Sequence, residues 1–201
     1  MKTIEYVATK KFEVVSSSIS THVGYNYLSV VLSYFINNSM SCIIIILAFV
    51  SVAYIYKRDI KNNLSTTEDC LWALILFYII MVINPLTGFL GYDIDINYLP
   101  VLVPHGIFEF AGLTLSILIG INLANRILPI EDKEYKKGVK DIFSRDIILK
   151  MAVMLIIIGV AAFLEPIDWI VYQYATYHNL NIINVLINTY LNLIKILFST
   201  L

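Results

Sequence analysis

Charge is scarce in this chain. Lys, Arg, Asp and Glu make up 14% of its 201 residues, against about a quarter in a soluble domain, while 59% of the residues are hydrophobic and the mean hydropathy is +0.78. That balance excludes an ordinary water-soluble fold and implies an integral membrane protein with a lipid bilayer around it. Histidine is scarcer still, with only His22, His105 and His178, too thin a supply for a structural zinc site that takes about four ligands. Cys42 and Cys70 are the only cysteines. The topology set out below puts them at opposite ends of neighbouring helices, out of reach of a disulfide, and both read as small apolar packing residues. Also lacking are GxSxG, HExxH, paired glutamates with a distant histidine motif, and a glycine-rich phosphate loop. No enzyme activity, no cofactor and no metal are therefore expected. The hydrophilic segment mixes both signs of charge and interleaves few aromatics beyond Tyr135 and Phe143, so nucleic acid is not expected as a partner. Lys2, Lys10 and Lys11 are followed by SSSISTH rather than by the apolar core of a cleaved signal, which leaves targeting to the first apolar span.

What the chain has in abundance is long apolar runs, and these predict an all-α, polytopic transmembrane helical bundle. Residues 1–24 mix charge with serine and read as a tail, partly helical near Glu5 to Val15. Residues 25–201 read as a single transmembrane domain. Its first stretch, GYNYLSVVLSYFIN, is short and carries Tyr25, Tyr27 and Tyr34, which suits an interfacial N-terminal helix at headgroup level. Four firm spans follow at about 39–56, 69–91, 103–124 and 147–169, each long enough for roughly 30 Å of hydrocarbon. A candidate fifth, 180–201, carries Asn181, Asn184, Asn188, Asn192, Lys195 and Ser199 at every third or fourth residue. That spacing draws a polar stripe along an apolar helix. Two placements remain open, a span with the stripe turned into the bundle, which is preferred, and a helix lying in the interface.

Ten of the 14 basic residues fall in two short loops, Lys57 to Lys61 and Arg126 to Lys150. The loop between the second and third spans carries only Asp93 and Asp95. Positive loops stay in the cytoplasm, so the charged loop 126–146 is expected there, in a multi-pass protein of the cell membrane. Lys2, Lys10 and Lys11 pull the other way, which makes the N-terminal side the least determined part of this topology.

The chain is organised around Leu99 to Gly120, LPVLVPHGIFEFAGLTLSILIG, where a histidine and a glutamate sit at the mouth of a membrane-length run. Pro104 has no backbone donor to lose in a first turn, so the helix is expected to begin near Val103 or Pro104. His105 and Glu109 are then one turn apart on one face. An unpaired carboxylate at that depth costs a few kcal/mol, which means a partner must exist. With the inferred topology, Asn37 and Asn38, Asn84, His105 and Glu109, and Glu165 and Asp168 all fall in the outer third of the bilayer. His105 with Glu109 is read first as a helix-start pair that holds the bundle and second as a proton relay, cation site or partner contact. Glu165, Pro166 and Asp168 are read as a helix end as readily as a site, and Asn84-Pro85 as a kink. Small residues such as Gly112 and Gly120 leave homo-oligomerisation open.

At VPHGIFEFAGLTLSILIG the chain resembles the stage II sporulation protein M family of integral membrane proteins, in which Pro-His-Gly-(apolar)-(apolar)-Glu opens a transmembrane helix. YFINNSMSCIIIILAFV, NPLTGFLG and FLEPIDW match it in order over roughly residues 34 to 170. By that resemblance the site residues are Asn38, Asn84, Pro104, His105, Gly106, Glu109 and Glu165. Pro85 departs from the family's glycine and Phe110 from its usual leucine, and the family's long N-terminal extension is missing. The sporulation member implies a membrane component that works with cell-wall-degrading partners, but relatives in organisms that do not sporulate keep that role from being carried over. The expectation is a non-enzymatic membrane scaffold or partner subunit, bound to an unidentified membrane or envelope protein. The alternative is a transporter or channel-like protein that binds a small solute, ion or proton at the polar cluster.

Overall fold

The structure, a computed structural model, describes residues 2–77, 79, 98–128 and 144–199. Among them the regular elements are helices and no strand occurs. In chain order they are α1 (Lys2–Val23), α2 (Tyr27–Lys61), α3 (residues 67–77), α4 (Leu99–Ile127), α5 (Arg145–Tyr177) and α6 (Ile182–Ser199). Helices α2, α4 and α5 are long and apolar enough to cross a membrane. Their 35, 29 and 33 residues run about 52, 44 and 50 Å at 1.5 Å per residue. Side chains that a soluble protein buries stand exposed along them, among them Ile44 and Leu47 on α2, Ile107 and Leu118 on α4, and Ile148 and Ile156 on α5. Such surfaces are stable against acyl chains and not against water, so the chain is a membrane protein. Most of the expected second span, Asn84 and Pro85 included, lies outside the described residues, as does most of the charged loop 126–146. Helix α6 runs 18 residues, at the lower edge of what a span takes.

Four boundaries differ from the sequence expectation, each for a local reason. The expected tail is helical from Lys2 to Val23. It stops at Gly24, which takes φ +80° and donates its N–H to Ser20 O at 2.9 Å, a left-handed cap that glycine adopts without steric cost. The interfacial helix and the first span are one helix, α2, because nothing between Tyr27 and Lys61 is Gly or Pro. Asn37 and Asn38 cost only about 0.7 kcal/mol each in propensity. Asn26 caps the start: its Oδ1 accepts from Ser29 N–H at 2.9 Å and its own N–H donates to Ser29 Oγ at 3.1 Å, a reciprocal cap. Helix α4 begins at Leu99, so Pro100 takes the donor-free place in the first turn and Pro104 sits one turn inside. Helix α5 passes through Pro166 and ends at Tyr177, which puts Glu165 and Asp168 within the helix and not at its close. There Leu180 N–H donates to Ala175 O at 2.8 Å and Asn179 takes φ +53°.

The chain forms two compact units, Met1–Asn37, Asp93–Glu109 and Gly159–Leu201 in one, Asn38–Tyr92 and Phe110–Ile158 in the other. In the second unit Ile45, Phe49 and Ala53 of α2 recur at four-residue spacing and meet Cys70 and Leu74 of α3 and Ile117, Ala124, Ile127 and Leu128 around α4. Phe49 stands edge-on to Phe77 with ring centroids 4.7 Å apart. Cys70 is buried in this core, Cys42 is buried on α2, and neither is in a disulfide. The first unit holds α1, the N-terminal part of α2, the start of α4, the C-terminal part of α5 and α6. In it Phe12 of α1 stacks on Tyr34 of α2 at 4.9 Å, and Lys11 Nζ donates to Asn37 O at 3.0 Å.

Candidate functional site: a buried polar clamp

His105 lies near the start of α4, and Pro104 and Gly106 flank it. Its ring is 4% exposed, and Asp168, on α5, is fully buried. His105 Nδ1 and Asp168 Oδ2 are 2.7 Å apart. One hydrogen is shared between Nδ1 and the carboxyl oxygen, and Nε2 is the ring nitrogen left outside the bond. The other carboxylate oxygen, Oδ1, accepts from the Tyr190 hydroxyl of α6 at 2.6 Å. One acid thus takes a donor from each of two other helices, and α4, α5 and α6 are tied at a single buried point. Tyr27 of α2 lies within electrostatic reach of Asp168, and its hydroxyl donates to Phe163 O of α5 at 2.6 Å.

These bonds form where they do because each helix offers its polar group at a place where its apolar neighbours are packed. Around Asp168 on α5, Ala161, Ala162 and Ala175 are fully buried and Val171 nearly so. Small side chains at these positions let neighbouring helices approach closely enough for short polar bridges. On α6, Leu186 is buried while Val185, Thr189, Tyr190 and Leu193 are half-buried, so Tyr190 belongs to the packed face. In a low-dielectric setting a buried hydrogen-bonded pair is expensive to break and directional while intact.

Glu109 and Glu165 occupy a second polar place in the same unit, within electrostatic reach of each other and of Tyr34 of α2. Glu165 Oε2 is buried and accepts no hydrogen bond among the described residues. The indole of Trp169, one turn on, is the group that reaches the Glu165 carboxyl. Around this level the aromatic side chains gather: Tyr98 packs on Tyr172 at 4.7 Å and on Trp169 at 6.3 Å. Tyr and Trp collect at the membrane–water boundary because their rings are apolar and their tips are polar.

The expected cluster is therefore partly redrawn. His105 pairs with Asp168 across helices in place of Glu109 along its own. Spacing of i, i+4 sets which residues share a face, but a tertiary partner with a free oxygen and a packed approach outcompetes it. Glu109 and Glu165 are brought near each other. Pro104 is half-buried in α4, and Gly106 is not a close-packing position, since a Cβ built there would meet nothing within 4 Å. Asn38 falls in the other unit, and Asn84 lies outside the described residues. Asp168 was visible as an acid late in an apolar run. Tyr190 gave no signal of its own among 14 tyrosines. Among the described residues no group of three or more His, Cys, Asp and Glu side chains could hold a metal ion.

The chain is 37% identical over 208 aligned residues to the uncharacterized protein MJ0096 of Methanocaldococcus jannaschii, an alignment that takes in 100% of this chain and 77% of that protein. No protein-family model and no solved structure matches the chain.

Proposed function

The chain belongs to the family of the uncharacterized Methanocaldococcus jannaschii protein MJ0096, and within it we propose a non-enzymatic membrane scaffold or partner subunit of an envelope-associated complex. In this reading it is a multi-pass protein of the cell membrane with its charged loop in the cytoplasm, and its likeness to the stage II sporulation protein M family is one of kind. The observation that carries the proposal is the His105–Asp168–Tyr190 clamp. Its acid is fully buried and its oxygens are both taken by protein donors, an arrangement that holds three helices in one geometry. A pathway for solute needs polar groups that exchange partners with what passes; the acid of the clamp has two protein partners already. A surface presented by fixed helices is what a partner subunit offers.

A transporter is the second reading, favoured by one feature, the buried Glu165 Oε2 with no hydrogen-bond partner among the described residues. Such an oxygen close to a second carboxylate suits a proton or a cation. One experiment separates the two. The purified chain is sealed into liposomes and internal pH and cation content are followed, while crosslinking in native membranes asks for one defined partner at fixed stoichiometry. A scaffold shows no flux and keeps its partner in the Glu109→Gln and Glu165→Gln variants. Flux that depends on pH and disappears in either variant overturns the scaffold reading.

A further inference from the structure

Helix α6 doubles back on α5. The turn after Tyr177 closes with Leu180 N–H on Ala175 O at 2.8 Å, and Tyr190 then meets Asp168, so α6 runs antiparallel along the C-terminal part of α5. Leu186 is buried and Val185, Thr189, Tyr190 and Leu193 are half-buried, a rotation that the Tyr190 bond fixes. The rest of the helix surface looks outward. Along it Asn184, Ile187, Leu191, Ile194 and Phe198 are all exposed, the four apolar ones by 49 to 75%. Their spacing of three, four, three and four residues is that of a seam by which one helix packs on another, and its one polar member, Asn184, stands seven residues before Leu191 and fourteen before Phe198. Neither medium suits such a face. Acyl chains leave the Asn184 amide without a partner, and water leaves four large apolar side chains bare.

We propose that this seam binds the same seam of a second copy of the chain, so that α6 pairs with α6 about a two-fold axis along the membrane normal. Two copies inserted in the same sense and related by such an axis present identical helices side by side and parallel, the arrangement in which a three-four seam interdigitates. The chemistry of the seam selects its own copy. An amide donates and accepts at once, so Asn184 finds its complement in its own counterpart, where a charged side chain would repel its like. A lone asparagine in an otherwise apolar seam also fixes the register of the pair. Asn188 and Lys195 border the seam one residue after Ile187 and Ile194, at places that face a different residue of the second helix and not their own counterparts, so the two Lys195 charges do not meet. Asn192 lies about 120° from the centre of the seam and takes no part. The pairing holds whether the clamp serves assembly or transport, and draws on the clamp only for the rotation of α6.

The test uses the full chain at low density in liposomes, with one cysteine at a time at position 187, 191 or 192. All three native side chains are exposed, so each change leaves the packed face of α6 intact. The buried thiols of Cys42 and Cys70 set a background, measured on the unsubstituted chain. Mild oxidation is expected to give disulfide-linked dimers at 187 and 191 with about ten times the yield at 192, following the helical period. Single-molecule photobleaching of the unsubstituted chain, with one fluorophore at its N-terminus, should show two steps per particle. Asn184→Ala should weaken the association about tenfold, the loss of two interhelical hydrogen bonds in lipid. One bleaching step throughout, equal disulfide yield at the three positions, a yield highest at 192, or an Asn184→Ala chain that pairs as well as the original would each overturn the proposal. So would crosslinking of positions 187 and 191 in native membranes to a different protein and never to a second copy.

Discussion

Replacing Asp168 with alanine removes an acceptor on which two buried donors depend. His105, 4% exposed, and Tyr190, half-buried, each lose a charged acceptor at 2.7 and 2.6 Å. A buried donor left without a partner costs about 1–3 kcal/mol, and breaking a buried pair by deleting one member about 3–5 kcal/mol in all. Asp168→Ala should therefore lower unfolding stability by about 4 kcal/mol, close to a thousandfold in the equilibrium constant, a large share of the about 5–15 kcal/mol that holds most folds. Asp168→Asn keeps the shape and one acceptor and should lose about half as much. Tyr190→Phe should cost about 1–2 kcal/mol. Because the three groups act as one unit, the Asp168→Ala and His105→Ala losses should fall short of additivity by at least about 1 kcal/mol. The double change His105→Leu with Asp168→Leu should recover most of the single-site loss, since an apolar filling carries no stranded charge. Reversible unfolding in bicelles, followed by steric trapping, measures each value. An Asp168→Ala loss below about 1 kcal/mol, or strict additivity with His105→Ala, would refute the clamp as a stabilising unit.

Gly120→Ala should destabilise by about 1–3 kcal/mol, because its new Cβ would meet Phe49 at 2.9 to 3.0 Å and that ring is fixed against Phe77. Thermal unfolding in detergent should show it. Gly112→Ala should cost at least as much: its Cβ would overlap Cγ1 and Cδ1 of Ile158, a buried β-branched side chain with little freedom to turn, and a clearly smaller loss than that of Gly120→Ala would contradict this. Phe49→Ala should cost about 3–5 kcal/mol, given a side chain with no exposure in the centre of the second unit's core; the same melts test it. Asn26→Ala removes the α2 cap and should cost about 1 kcal/mol, with hydrogen exchange rising at the 27–30 amides and not at 45–53.

The helical class was legible because apolar runs of membrane length have few alternatives, and the three helices long and apolar enough to cross a membrane fall on three of the runs so predicted. The boundaries were harder, because a residue that is unfavourable in a helix need not end one. Asn37 and Asn38, just ahead of the span expected at 39–56, do not interrupt α2, because the runs on both sides are continuous and helix propagation outweighs their small propensity cost. Pro166 does not close α5, since a proline removes a single donor and α5 has packing on both sides of it. Pro104 does not open α4, because Pro100 already fills the first turn.

For the site, chain spacing supplied half of the answer. It showed that the Glu109 carboxylate needs a partner in lipid, and it offered His105 because i, i+4 is the contact a sequence can express. The observed partner of His105, Asp168, is 63 residues away, and the third member, Tyr190, a further 22, so what selects them is helix packing. The same logic explains the inversion of α6. Reading polarity inward assumes that a polar stripe seeks protein, but the inward face of this helix is set by Leu186 and by a tyrosine hydroxyl that finds a buried carboxylate. Once Tyr190 is committed to Asp168, the amides at 184, 188 and 192 fall on the exposed side of α6, and in that respect the clamp decides which surface the helix shows.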